Sequence, residues 1–221
     1  MHGTAYRKFL LLISFLLLIT TSHAHEINYA LEKVPTTQVA WFYLKLGFEH
    51  IIPAGLDHIL FIVGLCLLSI KIKPIIWQAT AFTVAHSITL TISMKNILQV
   101  PSSIVEPVIA LSILFVAIEN CLFNKLNPAR ILIVFLFGLI HGMGFATALN
   151  ETGLPRNNFT ASILSFNAGV ELGQIVIIIL VFALLVIPFR KLPGYRKWVV
   201  IPLSVLIAII AAYWTVERVF L

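Results

Sequence analysis

Six apolar segments, at roughly 56–72, 76–98, 104–122, 129–149, 160–187 and 198–220, occupy most of the chain. Most approach the ~20 residues that a helix needs to cross a hydrocarbon core. Backbone polar groups in such segments must be satisfied internally, which leaves a helical bundle or a closed barrel. No period-two alternation of apolar and polar residues appears, and that argues against the barrel. Composition agrees: 60% of the 221 residues are hydrophobic and 11% are charged, against about 25% charged in a soluble domain. The expected fold is all-α, a polytopic membrane helix bundle of about six transmembrane helices after a cleaved signal peptide.

Arg7 and Lys8 precede the apolar run Phe9 to Ile19, and Ser22-His23-Ala24 has the small-x-small form of a cleavage site. Residues 1–24 therefore read as a signal peptide, with an uncleaved first helix as the alternative. Residues 25–37 read as a short periplasmic segment, and 38–221 as a single transmembrane domain. The stretch 38–54 is interrupted by Lys45, Gly47, Glu49, His50 and Pro53. That pattern fits an interfacial or re-entrant helix, or a broken extension of the first span. Pro53, Pro74, Pro101, Pro128, Pro155, Pro188 and Pro193 fall at or between segment ends, where a missing N–H is tolerated. Pro107 and Pro202 are expected in the first turns of their helices.

A cleaved signal places the mature N-terminus outside the cytoplasm. The inner loops then hold Lys71, Lys73, Lys125, Arg130, Arg190, Lys191, Arg196 and Lys197. The outer segments hold Lys33, Lys45, Lys95, Arg156 and Arg218. Eight against five agrees with the positive-inside rule. The formal net charge of +6 is then no sign of a nucleic-acid partner; the bilayer is the partner the composition implies. Cys66 and Cys121 lie inside apolar runs and read as buried thiols. No G-x-x-x-x-G-K phosphate loop is present, so the chain carries no ATPase motor.

Function is carried by the exceptions to apolarity. An ionisable residue at the centre of a span costs about 2.5–3.5 kcal/mol on insertion scales, so such residues are kept for pairing, packing or function. Here they are Asp57, His58, His86, Glu106, Glu119, His141 and Glu171, with Glu49 and His50 just before. On the topology above, five spans aim histidine or carboxylate at one outer-to-middle layer, and Glu119 is the outlier. Imidazole suits nickel, cobalt, copper and zinc, and carboxylate adds compensating charge. His58, His86, His141, Asp57, Glu106 and Glu171 are the candidate metal ligands. His50, Ser87, Asn167, Gln174 and Glu119 are candidates for the pathway or for supporting the ligands. Asn167, Glu171 and Gln174 are spaced i, i+4, i+7 and share one helix face.

Structural alternatives stand beside each reading. An intramembrane histidine can serve as a helix–helix hydrogen bond. Glu106, before Pro107, can favour a helix dipole in its first turn. Glu119 with Asn120 can be a structural pair. Gly138, Gly142 and Gly144 around His141 can mark close helix packing or leave room for an ion. Trp41, Phe42, Tyr43 and Trp214 read as interfacial anchors.

Four stretches together resemble the HupE/UreJ family of hydrogenase and urease accessory membrane proteins. They are His50-Ile-Ile-Pro-Ala-Gly-Leu-Asp57-His58-Ile-Leu-Phe61, Phe82-Thr-Val-Ala-His86-Ser87, Phe137-Gly-Leu-Ile-His141-Gly-Met-Gly-Phe145 and Phe166-Asn167-Ala-Gly-Val-Glu171-Leu-Gly-Gln174. The resemblance implies a bacterial inner-membrane protein that moves nickel or a related divalent ion. It also implies a link to a metalloenzyme maturation system. A looser likeness to nickel/cobalt permeases rests on a His-x4-Asp-His motif, which here is His50-x6-Asp57-His58. The longer spacing, with Pro53 and Gly55 inside it, makes His50 the weaker ligand candidate of the set.

The function expected is therefore divalent metal binding and transport, with nickel first, then zinc, cobalt or copper. The first alternative is an intramembrane metal-dependent hydrolase, with Ser87 or Glu106 beside the metal, although no H-E-x-x-H motif supports it. The second is a metal-free assembly protein, alone or as a homo-oligomer, whose histidines form a hydrogen-bond network.

Overall fold

The computed structural model describes residues 29–220; the signal peptide, its cleavage site and the start of the 25–37 segment lie outside them. The described residues form helices and no strand. After a single turn at Tyr29–Glu32 come α1 (Thr36–Ile51), α2 (Leu56–Leu67), α3 (Ile72–Met94), α4 (Ser102–Leu122) and α5 (Arg130–Thr152). Two long helices close the chain, α6 (Phe159–Phe189) and α7 (Arg196–Phe220).

Among the described residues, α3, α4, α6 and α7 are each long and apolar enough to cross a membrane. Helices α1 and α2 pass the same test only as a pair, a broken span or a re-entrant loop bent by 67° at the break between them. Of the expected six spans, four stand by length and composition among the described residues, or five where the bent pair counts as one. The sixth candidate, α5, is a helix of 23 residues, Arg130–Thr152, of which Arg130–Ala146 is an apolar stretch among the described residues. The apolar faces turned away from the core, such as Leu132, Leu164, Leu184, Ile209 and Phe220, are exposed, as a lipid-facing surface requires.

Three helix pairs build the bundle. Helices α1 and α6 run parallel: Gly47 lies on the Phe166 carbonyl, and Gly173 on the Ile51 side chain. Helices α3 and α5 also run parallel, with Gly138 on the Phe82 carbonyl and Gly142 on the His86 carbonyl. A Cβ at Gly142 would collide with that carbonyl and with Thr89 Oγ1, so only glycine permits the approach. Of the glycines around His141, Gly138 and Gly142 pack on the α3 backbone, and Gly144 both packs against Ile109 and Val105 of α4 and lines a cavity. Helices α4 and α7 run antiparallel and are tied at both ends by arginine. Arg196 donates to the Phe123 and Cys121 carbonyls at the C-terminus of α4, and Arg218 donates to the Glu106 carbonyl near its start.

Two expectations about proline change. Helix α4 starts at Ser102 with Pro101 as its cap, so Glu106 and Pro107 sit past the first turn, inside the helix. Pro202 is likewise not at a helix start. It follows the wide turn Arg196–Val200, in which the Ile201 N–H reaches back five residues to the Arg196 carbonyl. The same arrangement precedes Pro188, where Ile187 N–H bonds the Phe182 carbonyl. A proline ring clashes with the carbonyl four residues back and lacks the N–H to bond it, and widening the preceding turn relieves both problems.

Candidate metal centre

The break between α1 and α2 builds the centre. His50 lies in the last turn of α1, and His58 in the first turn of α2. Gly55 caps α2, and a Cβ there would strike the His50 carbonyl, so the glycine lets the chain fold back tightly. The fold-back brings the His50 and His58 rings to 4.7 Å between centroids. The Pro53 and Gly55 spacing that lowered His50 among the candidates is thus what delivers it. A discontinuous span with its helix ends at the midpoint of a bundle is a recurrent way to place ion ligands. The C-terminal end of α1 also turns a negative partial charge toward the cluster.

His86 from α3 and His141 from α5 complete the set. Ligand atoms of His50, His58 and His86 all lie within 4.8 Å of one another. The His141 ring is 5.1 Å from that of His58. His141 Nδ1 donates to the Phe137 carbonyl at 2.8 Å, one turn back on α5. Asn167 donates its amide hydrogen to the Ile163 carbonyl at 2.8 Å, which leaves its Oδ1 to accept from His86 Nδ1 at 3.4 Å. In both rings Nδ1 carries the proton and Nε2 keeps its lone pair, the tautomer a metal ligand needs. All four Nε2 atoms, on His50, His58, His86 and His141, are buried without a protein partner. Buried polar atoms are nearly always paired, so the orphaned nitrogens of the close His50, His58 and His86 set, with that of His141 beside His58, fit a cation.

A phenylalanine shell surrounds the imidazoles. Phe145 packs on His50 at 3.9 Å and Phe82 on His141 at 4.8 Å, and Phe166 stacks on Phe145 at 4.8 Å. A cavity of about 380 Å³ leads to the cluster, lined by His50, His58, His141, Asp57, Glu106 and Arg218 among others.

The carboxylates do not join the histidines. Asp57 accepts both its bonds from Arg218 Nη2, at 3.0 and 3.1 Å, at the wall of the cavity. Arg218, counted from sequence only as an outer positive charge, is the residue that reading missed. The signal was available: a lone aspartate in a span needs a cation, and Arg218 lies inside the last apolar segment. Glu106 lines the same cavity and is exposed. Glu171 accepts from Thr80 Oγ1 at 2.7 Å, one turn beyond Asn167 on α6. Ser87 donates to the Thr83 carbonyl at 2.7 Å, a bond within its own helix. Glu119 lies elsewhere, in a buried ion pair with Arg130 at 3.1 Å. Asn120 donates to the Gly64 carbonyl and accepts from Arg130, which makes that cluster a brace between α2, α4 and α5.

Residues 25–218 match the sequence model of the HupE / UreJ protein family. The chain belongs to that family. The match takes in all seven helices of the bundle and every histidine of the cluster. No curated protein and no solved structure matches the chain.

Proposed function

We propose that this HupE / UreJ protein binds a divalent transition-metal ion at the four-histidine cluster and passes it across the membrane. The observation that carries the reading is the convergence of His50, His58 and His86, with His141 beside His58, all with buried, unpartnered Nε2 atoms, where α1 gives way to α2. A hydrogen-bond network alone leaves that convergence unexplained, because such a network would pair these atoms with each other or with backbone. The absence of thiolate disfavours a soft monovalent ion, and imidazole suits nickel, cobalt, zinc and copper. Nickel is the first choice, through what membership of the family implies for hydrogenase and urease maturation. Metal is cargo in this reading, taken from the side on which the cavity opens.

The charge count and the signal-like N-terminal sequence support a periplasmic position for that side, in a bacterial inner membrane. The broken span supports transport, since discontinuous helices let a bundle rearrange around a fixed site. The test is calorimetry and elemental analysis of purified protein, wild type against His86→Ala and His141→Ala, followed by uptake into liposomes. Stoichiometric metal lost in both variants, with uptake by wild type, is the expected outcome. Well-folded wild type that binds no first-row divalent ion would end the proposal.

A further inference from the structure

We propose a second cation station inward of the histidines, made of oxygen donors on α6 and α3: Glu171, Gln174 and Thr80. It rests on the transport reading for the ion's identity, but not for its own existence. The helical rise places Glu171 roughly 6 Å and Gln174 roughly 10 Å along α6 from Asn167. All three residues share one face, and Asn167 ties that face to His86 at 3.4 Å.

Two features of the strip point to a ligand. Glu171 Oε1 accepts from Thr80 Oγ1 at 2.7 Å, while its Oε2 is buried without a partner, and no basic side chain among the described residues pairs with it. Gln174, one turn on, is 1% exposed, and neither its Oε1 nor its Nε2 has a partner. A carboxylate and an amide in a span would ordinarily bond each other, a backbone group or a cation. Here the carboxylate is held in place by Thr80 and keeps one oxygen free.

The chemistry of the station differs from that of the cluster. Four imidazoles hold a late transition metal tightly, whereas carboxylate, amide and hydroxyl oxygens suit harder ions and exchange more readily. Conduction needs a site strong enough to capture and a neighbour weak enough to release. The histidines fit the first role and the Glu171 face the second. The ligand class is a divalent cation that keeps part of its water shell.

Full-length protein in detergent, titrated with Mn²⁺ and read by electron paramagnetic resonance, tests the station. Co²⁺ titration, read by its visible absorption, reports imidazole ligation at the cluster separately. The expected result is Mn²⁺ binding that survives His86→Ala and weakens at least roughly tenfold in Glu171→Gln, by analogy with the loss of a ligand-supporting group. Gln174→Leu should weaken it less, and neither α6 variant should change the Co²⁺ bands. Those bands also show that the variants are folded. No Mn²⁺ binding by wild type, or equal binding by wild type and Glu171→Gln, overturns the station. Glu171-dependent Mn²⁺ binding without any Co²⁺ bands would keep the station and refute the histidine reading.

Discussion

At the scale of single residues, the support of each imidazole matters as much as its position. Asn167 fixes the His86 tautomer without reaching the cluster itself. Asn167→Leu should therefore lower metal affinity by about 10–100-fold, the usual cost of losing such a partner. His86→Ala should abolish stoichiometric binding, and calorimetry on both variants separates the two effects. Arg218 acts in the opposite sense. Its guanidinium neutralises Asp57 at the cavity wall and adds positive charge near the path of a cation. Arg218→Gln should tighten divalent binding several-fold and make it more sensitive to ionic strength; unchanged affinity and salt dependence would remove Arg218 from the entry path. The histidines and the polar face of α6 were legible in sequence because a charge in an apolar run has few uses. The Asp57–Arg218 pair was legible only in part: a lone aspartate in a span calls for a cation, but 161 positions separate the two and spacing does not name the partner.

At the scale of elements, two features position the cluster: glycine contacts between paired helices, and the buried brace at the far end. Gly142 lets α5 approach the His86 backbone. Gly142→Leu must push α3 and α5 apart, and overpacking of this kind costs about 1–3 kcal/mol or more. Thermal unfolding in detergent should show a lowered midpoint, and metal affinity should fall with it although no ligand has changed. The Glu119–Arg130 pair makes the sharper case. Arg130 is 1% exposed, so Glu119→Ala leaves a buried, uncompensated charge and should cost about 3–5 kcal/mol. The double variant Glu119→Leu with Arg130→Met should recover much of that loss, because it removes both charges together. Helix existence was plain from apolar runs near span length. Helix ends were less so: the wide turns before Pro188 and Pro202 keep the chain helical where proline suggested a boundary, and the start of α4 at Ser102 moved Pro107 into the helix.

At the scale of the whole molecule, the histidine cluster, the cavity and the Glu171 face lie in series, and the series has a direction. The cavity meets the imidazoles from the side of Asp57, Glu106 and Arg218, and the Glu171 face continues from Asn167 away from that side. With the cavity facing the periplasm, an inside-negative potential favours inward movement by about 2.3 kcal/mol per charge per 100 mV. In proteoliposomes oriented with the cavity outward, initial uptake of Ni²⁺ should rise with imposed inside-negative potential. It should fall as external pH is lowered, because protons compete with the metal for the imidazole nitrogens. The two dependences come from different parts of the molecule. Potential acts on the moving charge over the whole path, so it should persist in Asn167→Leu at reduced rate. Proton competition acts only at the histidines, so saturating metal should suppress it. Uptake indifferent to potential in wild type would mean that the ion stops at the cluster, and the chain would then be a metal-holding protein of the membrane with no passage through it.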